Sequence, residues 1–138
     1  MFLTRSLNVG GAERQLVLLS TALHRQGIAV RVLSLYGGTL EVELRNAGVQ
    51  VEALGKRSRW DVLGFFLRFR KALLDYRPDV VYGFLPVPNI LAVLAKRLRP
   101  GLKVIWGVRA SDMDLTKYDY AWKWVDRLQR VLSRFADR

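Results

Sequence analysis

The sequence has no cysteine and a single histidine, and each shortage removes a class of chemistry. Without thiols there is no disulfide framework and no thiolate metal site, which is compatible with a reducing compartment. One imidazole cannot build a multi-histidine metal centre. His24 falls late in the first helical segment, away from the loops singled out below, and reads as a surface or partly buried helical residue; a Ser-His-Asp arrangement has no support. A signal-peptide pattern is missing too, since polar residues arrive at Thr4 and Arg5. No apolar run approaches the ~18–20 residues needed to span a bilayer, so the chain reads as soluble or peripheral. Acidic residues are scarce: 12 Asp and Glu stand against 23 Lys and Arg, leaving a net charge of +11. Such a balance favours polyanionic partners, whether nucleic acid, anionic lipid headgroups or phosphorylated small molecules.

What is present is globular. The 138 residues are 51% hydrophobic, enough for one domain with a real core. Apolar runs alternate with helical stripes. Phe2 to Leu7 reads as a strand, followed by a helix with Ala12, Leu16, Leu19 and Leu23 on one face and Gly27 as its C′ residue. "IAVRVLSLY" (28–36) is apolar almost throughout, as a strand covered on both faces would be. Thr39 is expected to cap a short helix over 40–47, and 49–54 forms the third strand. A long helix is expected over 60–76 with the stripe Val62, Phe66, Phe69, Leu73 and Tyr76. "PDVVYG" (78–83) is a short buried strand, "FLPVPN" a loop, 89–98 a helix and 102–108 the fifth strand. A last helix spans about 117–136. No internal repeat or low-complexity segment interrupts the series.

Strands alternating with helices imply an α/β domain with a doubly wound, Rossmann-like parallel sheet, of strand order 3-2-1-4-5. Ligands of such sheets bind outside the carboxyl ends of the strands, where the order reverses. The loops "LNVGGAE" and "GFLPVPN" should therefore face one another, bordered by "RASDMD" after strand 5. Gly10 and Gly11 open the first helix. Bare backbone there offers unpaired N–H groups and a positive dipole end to an anion; alternatively the glycines simply make a tight strand-to-helix turn. Arg109, Ser111, Asp112 and Asp114 could bind sugar hydroxyls or phosphate, or could form a solvated loop in which Asp114 or Thr116 caps the last helix. G-x-G-x-x-G and G-x-x-x-x-G-K-[ST] are both absent, which disfavours a dehydrogenase and a P-loop NTPase.

The helix "WDVLGFFLRFRKALLDY" is too apolar for one buried stripe. Between Lys56 and Arg77 seven basic residues stand against Asp61 and Asp75. Aromatic and basic residues together are the composition of an interfacial membrane contact, with Trp60, Phe65, Arg68 and Lys71 as its members. A widely packed core helix with arginine stems lying over apolar surface has the same composition.

"SLNVGGAERQLVLLSTALHRQGIAVRVLSL" resembles the opening of the GT-B glycosyltransferases of family 4, whose first loop reads GGAE or GGxE. "LEVELRNAGVQVEAL", "RPDVVYGFLPVPNILAVLAKRL" and "VIWGVRASD" continue the likeness, which covers essentially all 138 residues. It implies the N-terminal, acceptor-side domain of a retaining glycosyltransferase, with a C-terminal donor-binding domain carrying E-x7-E beyond Arg138. The chain also ends directly after a helix, where an alternating fold would begin another strand, so residues 1–138 are expected to be one part of a larger protein. The resemblance implies a nucleotide-sugar donor, UDP- or GDP-linked, no bound metal, and a glycan or lipid-linked acceptor of the cell envelope. It places Gly10 and Gly11 at the donor diphosphate, and Asn8, Glu13, Gly83, Phe84, Asn89, Arg109, Ser111 and Asp112 at acceptor or sugar. No catalytic residue is assigned, because Tyr82-Gly83-Phe84 stands where many members carry a histidine. The implied location is the cytoplasm, at the inner face of the membrane. The competing expectation is a stand-alone basic α/β module that binds nucleic acid or anionic surfaces. Only the net charge favours it: there is no nucleic-acid motif, and the basic residues are spread along the chain.

Overall fold

The computed structural model describes residues 1–55, 61–107 and 137. Nine elements alternate along them: β1 (Phe2–Ser6), α1 (Gly11–Arg25), β2 (Arg31–Tyr36), α2 (Glu41–Asn46), β3 (Gln50–Ala53), α3 (Val62–Tyr76), β4 (Val80–Phe84), α4 (Pro86–Leu98) and β5 (Lys103–Gly107). The strands form one all-parallel sheet in the order β3-β2-β1-β4-β5, as expected from the alternation. The helix expected over 117–136 lies outside the described residues.

The central strands are buried on both faces, which is why they read as continuous apolar runs. Successive residues point to opposite sides. Leu3, Leu33, Leu35, Val81 and Val104 pack with Phe65, Phe69 and Leu73 of α3 and with Leu91, Ala92 and Ala95 of α4. Phe2, Val32, Val51 and Phe84 pack with Leu16 and Val17 of α1 and Leu44 of α2 on the other side. Thus α3 and α4 cover one face, and α1 and α2 the other.

Glycine ends the first two helices in the same way. Gly27 (φ 80°) follows α1, with Ile28 N–H donating to Leu23 C=O at 3.1 Å; Gly48 (φ 81°) follows α2, with Val49 N–H donating to Leu44 C=O at 3.0 Å. Both are the six-to-one closure that favours a left-handed residue. Ile28 N–H is spent on this closure, and β2 begins at Arg31 rather than Ile28. His24 is partly buried near Gly48, away from the strand carboxyl ends.

Three expectations are corrected. Thr39 does not cap α2: Leu40 holds the cap position without a side-chain bond, and the Glu41 carboxylate accepts the Gly38 N–H at 3.1 Å instead. "FLPVPN" is not a loop: α4 starts at Pro86, because proline in the first helical turn forfeits only N–H groups that would be unpaired anyway. The buried stripe of α3 is Phe65, Phe69, Ala72 and Leu73 rather than the one through Phe66, which is only half-buried.

Candidate functional site at the strand carboxyl ends

Neighbouring strands β1 and β4 send their helices to opposite faces of the sheet, α1 to one and α4 to the other. Their carboxyl ends are therefore the switch point, where a parallel sheet leaves a crevice. Leu3 pairs with Gly83, so the 7–10 loop and Leu85 leave the sheet from adjacent strands at the same edge.

Both connections are held by backbone. Leu7 N–H donates to Gly37 C=O at 3.4 Å, and Leu7 C=O accepts from Leu40 N–H at 2.8 Å. A Cβ on Gly38 would overlap the Leu7–Asn8 peptide, so that glycine lets the β2–α2 turn lie directly on the first loop. Across the crevice, a Cβ on Gly83 would stand 2.9 Å from Asn89 Cα. One on Gly107 would stand 2.9 Å from the Tyr82 ring. Leu85, between β4 and α4, has φ 74° and ψ 164°, a region that only glycine enters freely. The contact of Gly38 with the first loop, Gly107 and Leu85 escaped the sequence reading. The doubled glycine at 37–38 is a visible signal for the first, whereas Leu-Pro carries none for the last.

The glycine pair can now be judged. Gly10 is extended (φ −164°, ψ 165°), a backbone any residue adopts. A Cβ there would meet only the mobile end of the Glu13 side chain. Gly11 begins α1, and among the described residues a Cβ on it would meet nothing outside its own helix turn within 4 Å. Neither turn geometry nor packing calls for glycine at position 11. The first turn has no side-chain cap, and its first hydrogen-bonded amide is Arg14 N–H, donating to Gly10 C=O at 3.0 Å. The preceding amides are the free donors of a helix N-terminus. Glu13 folds its carboxylate back over Gly10, placing an acid where the helix dipole favours one.

The expected site residues divide into three groups. Asn8 and Gly11 are exposed, and Gly10 and Glu13 partly so; these four lie between the carboxyl end of β1 and the first turn of α1. Gly83, Phe84 and Asn89 are buried. Phe84 is corrected from a ligand contact to a core residue, its ring 4.7 Å from Tyr82 and 5.9 Å from Phe2 by centroid. Asn89 is 0% exposed, and neither end of its amide has a partner. Trp106, which pairs in register with Gly83, has an unpartnered Nε1. Asn89 packs on Gly83, and Trp106 stands on the neighbouring strand beside it, so two unpartnered polar groups are buried near the start of α4. Arg109, Ser111 and Asp112 lie outside the described residues.

The expected membrane contacts divide as well. Phe65 is corrected to a core residue, 6% exposed and packed with Phe69. Arg68 is tied inward, its Nε donating to Leu54 C=O at 2.7 Å and its guanidinium pairing with Asp61. Lys71 is exposed, and Trp60 lies outside the described residues. Two cavities lie away from the crevice. One, of about 400 Å³, opens among Met1, Leu23, Ile28, Tyr76 and Asp79 at the amino ends of the strands. The other, of about 310 Å³, lies between α3 and the β2–β3 edge among Arg31, Glu52, Arg68 and Lys71. Among the described residues no group of three His, Asp or Glu side chains could hold a metal ion.

Residues 9–138 match Glycosyltransferase Family 4. Over 103 residues, 69% of the chain, the sequence is 35% identical to a Campylobacter jejuni protein, GalNAc-α-(1→4)-GalNAc-α-(1→3)-diNAcBac-PP-undecaprenol α-1,4-N-acetyl-D-galactosaminyltransferase. The match covers 28% of that protein. In structure the chain is similar to MurG of Acinetobacter baumannii (TM-score 0.64, 18% identity, 99% of this chain and 39% of that one). It is also similar to a glycosyltransferase of Rickettsia africae (TM-score 0.58, 20% identity, 85% and 32%). At these identities the two structures establish a shared fold. The chain spans well under half the length of each of these relatives.

Proposed function

The chain belongs to glycosyltransferase family 4, and from that premise we propose that it is the acceptor-side domain of a retaining enzyme. The enzyme moves a sugar from a UDP- or GDP-linked donor to a lipid-linked or polysaccharide acceptor of the cell envelope. A second, donor-binding domain outside these residues holds most of the nucleotide. The observation that carries the reading is Gly11 at the N-terminus of α1, at the switch point of the sheet, where a Cβ would meet no other described element within 4 Å.

In this reading the diphosphate of the donor comes against the first turn of α1. The free amides donate to its oxygens, and the positive end of the helix contributes about 0.3–1 kcal/mol, more when water is excluded. As the sugar–phosphate bond breaks, negative charge grows on the departing diphosphate, so these fixed dipoles strengthen in the transition state. They supply positive potential without a bound metal. Glu13 must swing off Gly10 to admit the diphosphate, and then stands where it accepts hydrogen bonds from sugar hydroxyls beside Asn8. The polyprenol-diphosphate acceptor in the Campylobacter relative's name supports the lipid-linked choice, and with it a place at the cytoplasmic face of the membrane.

The test is a panel of UDP- and GDP-sugars offered to the full-length enzyme with membrane-extracted acceptor lipid. Turnover of one donor, with retention at the anomeric carbon and undiminished after chelation, is expected. Absence of donor hydrolysis or transfer across the panel overturns the assignment.

A further inference from the structure

Among the described residues Tyr36 is the most exposed aromatic side chain, at 38%. It ends β2, and its hydroxyl has no hydrogen bond within those residues, whereas the Tyr76 hydroxyl donates to Ala29 C=O at 3.0 Å. The face that carries it changes character along the strands. Alternate residues of β1 and β2 point to the side that α1 and α2 cover. The first row in register there, Phe2 with Val32 and Val51, is apolar and packs on those helices. The second, Thr4 with Ser34, carries hydroxyls. The third, Ser6 with Tyr36, lies at the carboxyl ends, shortly before the chain enters α1 and α2. Thr4 Oγ1 donates to Ser6 C=O at 3.2 Å, but Ser34 Oγ is fully buried without a partner. Burying an unpaired hydroxyl is unfavourable, and alanine or valine would fill that place in the core without the cost. Packing therefore does not account for the polar end of this face.

Position supplies a second argument. In a sheet of this topology the carboxyl end of the second strand adjoins the N-terminus of the first helix, and the side chain there meets the sugar beside a bound diphosphate. An acid usually occupies that place; here Tyr36 offers a ring face and a hydroxyl. We infer that Tyr36, with Ser6 beside it, is a subsite for one pyranose ring of the acceptor glycan. The negative face of the tyrosine ring attracts the polarised C–H groups on the flat side of a pyranose, and the two protein hydroxyls exchange hydrogen bonds with those of the sugar. A tyrosine has two torsions to fix, so such a platform costs little entropy to order. Charge favours a neutral ring over a phosphate, because the Glu41 carboxylate turns back to accept Gly38 N–H, two residues beyond Tyr36. Assigning the ring to the acceptor rests on the transferase reading above, in which the donor diphosphate occupies the first turn of α1. The binding of a pyranose does not.

The experiment is saturation-transfer NMR of the full-length enzyme with the methyl α-glycosides of glucose, galactose, mannose, N-acetylglucosamine and N-acetylgalactosamine. Transfer from aromatic protons to the ring C–H groups of at least one glycoside is expected. Tyr36→Ala should lower that signal about fivefold, the scale of one aromatic contact. Tyr36→Phe keeps the ring face and should lose only about twofold, the scale of one exposed hydrogen bond. Leu18→Ala, on the outside of α1, should match wild type. Tyr36 is exposed, so circular dichroism should be unchanged in every variant. Excess UDP- or GDP-sugar should leave the signal in place; displacement would give the subsite to the donor sugar and overturn the acceptor assignment. In kinetics, Tyr36→Ala should lower kcat/KM for the acceptor while donor hydrolysis without acceptor stays at the wild-type rate. A wild-type enzyme that transfers sugar but shows no glycoside signal, or a signal indifferent to Tyr36→Ala, overturns the subsite and leaves the transferase reading standing. A Tyr36-dependent signal in an enzyme that uses no donor keeps the pyranose site and overturns that reading instead.

Discussion

Gly83 of β4 lies so tightly beneath Asn89 of α4 that a Cβ on it would stand 2.9 Å from Asn89 Cα and 3.0 Å from its backbone nitrogen. Backbone cannot rotate away as a side chain can, so Gly83→Ala must push the first turn of α4 off the sheet. Overpacking of this kind costs about 1–3 kcal/mol. A fall in Tm of roughly 3–12 °C is expected by calorimetry for a domain of this size. An unchanged Tm would mean that α4 is not seated on β4.

Leu85 allows a prediction in which the usual order of substitutions reverses. At most positions glycine is less stable than alanine by about 0.5–1 kcal/mol. At Leu85, with φ 74° and ψ 164°, alanine keeps the strained backbone and loses the side-chain contacts, while glycine sheds the strain. Strain of this kind is worth about 1–3 kcal/mol. Leu85→Gly should therefore be more stable than Leu85→Ala by about 1–2 kcal/mol in urea unfolding. In the full-length enzyme it should also slow transfer, because a looser connection holds the crevice less well. Alanine proving the more stable variant would refute the strained geometry.

Arg68 and Lys71 have one charge each and sit three positions apart on α3, yet only one is part of the architecture. Arg68 reaches Leu54 C=O through Nε and Asp61 through its guanidinium, tying α3 to the end of β3. Its side chain is 40% exposed, so the tie is discounted for solvent to about 1 kcal/mol. Arg68→Ala should lower stability by that amount. Arg68→Lys should not restore it, because an ammonium lacks the planar fork that serves both acceptors. Lys71→Ala should stay within about 0.5 kcal/mol of wild type. Equal effects at the two positions in chemical denaturation would show that the Arg68 contacts are not formed.

The strand order was legible because doubly buried strands read as apolar runs and because Gly27 and Gly48 stop their helices by a mechanism visible in sequence. The phase of α3 was not. "VLGFFLRF" is apolar nearly all round, and stripes through Phe65 or Phe66 are equally helical; the tie from Arg68 to Leu54, fourteen positions away, accompanies the observed phase. The start of α4 was misread because two prolines look like a breaker, although at Pro86 and Pro88 they occupy the one turn that tolerates them. At the site, the sequence located Gly10 and Gly11 but could not separate a turn from a ligand mouth. Their backbone angles and the space around them show only that no turn requires glycine at either position.

Gly11 supports the most direct test of that mouth. Among the described residues nothing outside its own helix turn lies within 4 Å of a Cβ placed there, and the residue is already helical. Gly11→Ala should therefore leave the isolated chain as stable as wild type or slightly more so, by less than the ~1 kcal/mol helix-propensity difference. Gly11→Val, with β-branched carbons at the same place, should also fold, because open space accepts them. In the full-length enzyme the two should separate. A methyl group narrows the approach to the α1 amides, and a branched side chain blocks it, so donor kcat/KM should fall in the order glycine, alanine, valine. The valine variant should lose at least tenfold, about 1.4 kcal/mol of transition-state stabilisation. Because the fold is unaffected, the loss cannot be attributed to unfolding, and circular dichroism of the same samples checks that directly. Wild-type kinetics in the valine variant would remove the diphosphate from this helix and return the glycine pair to the role of a simple turn.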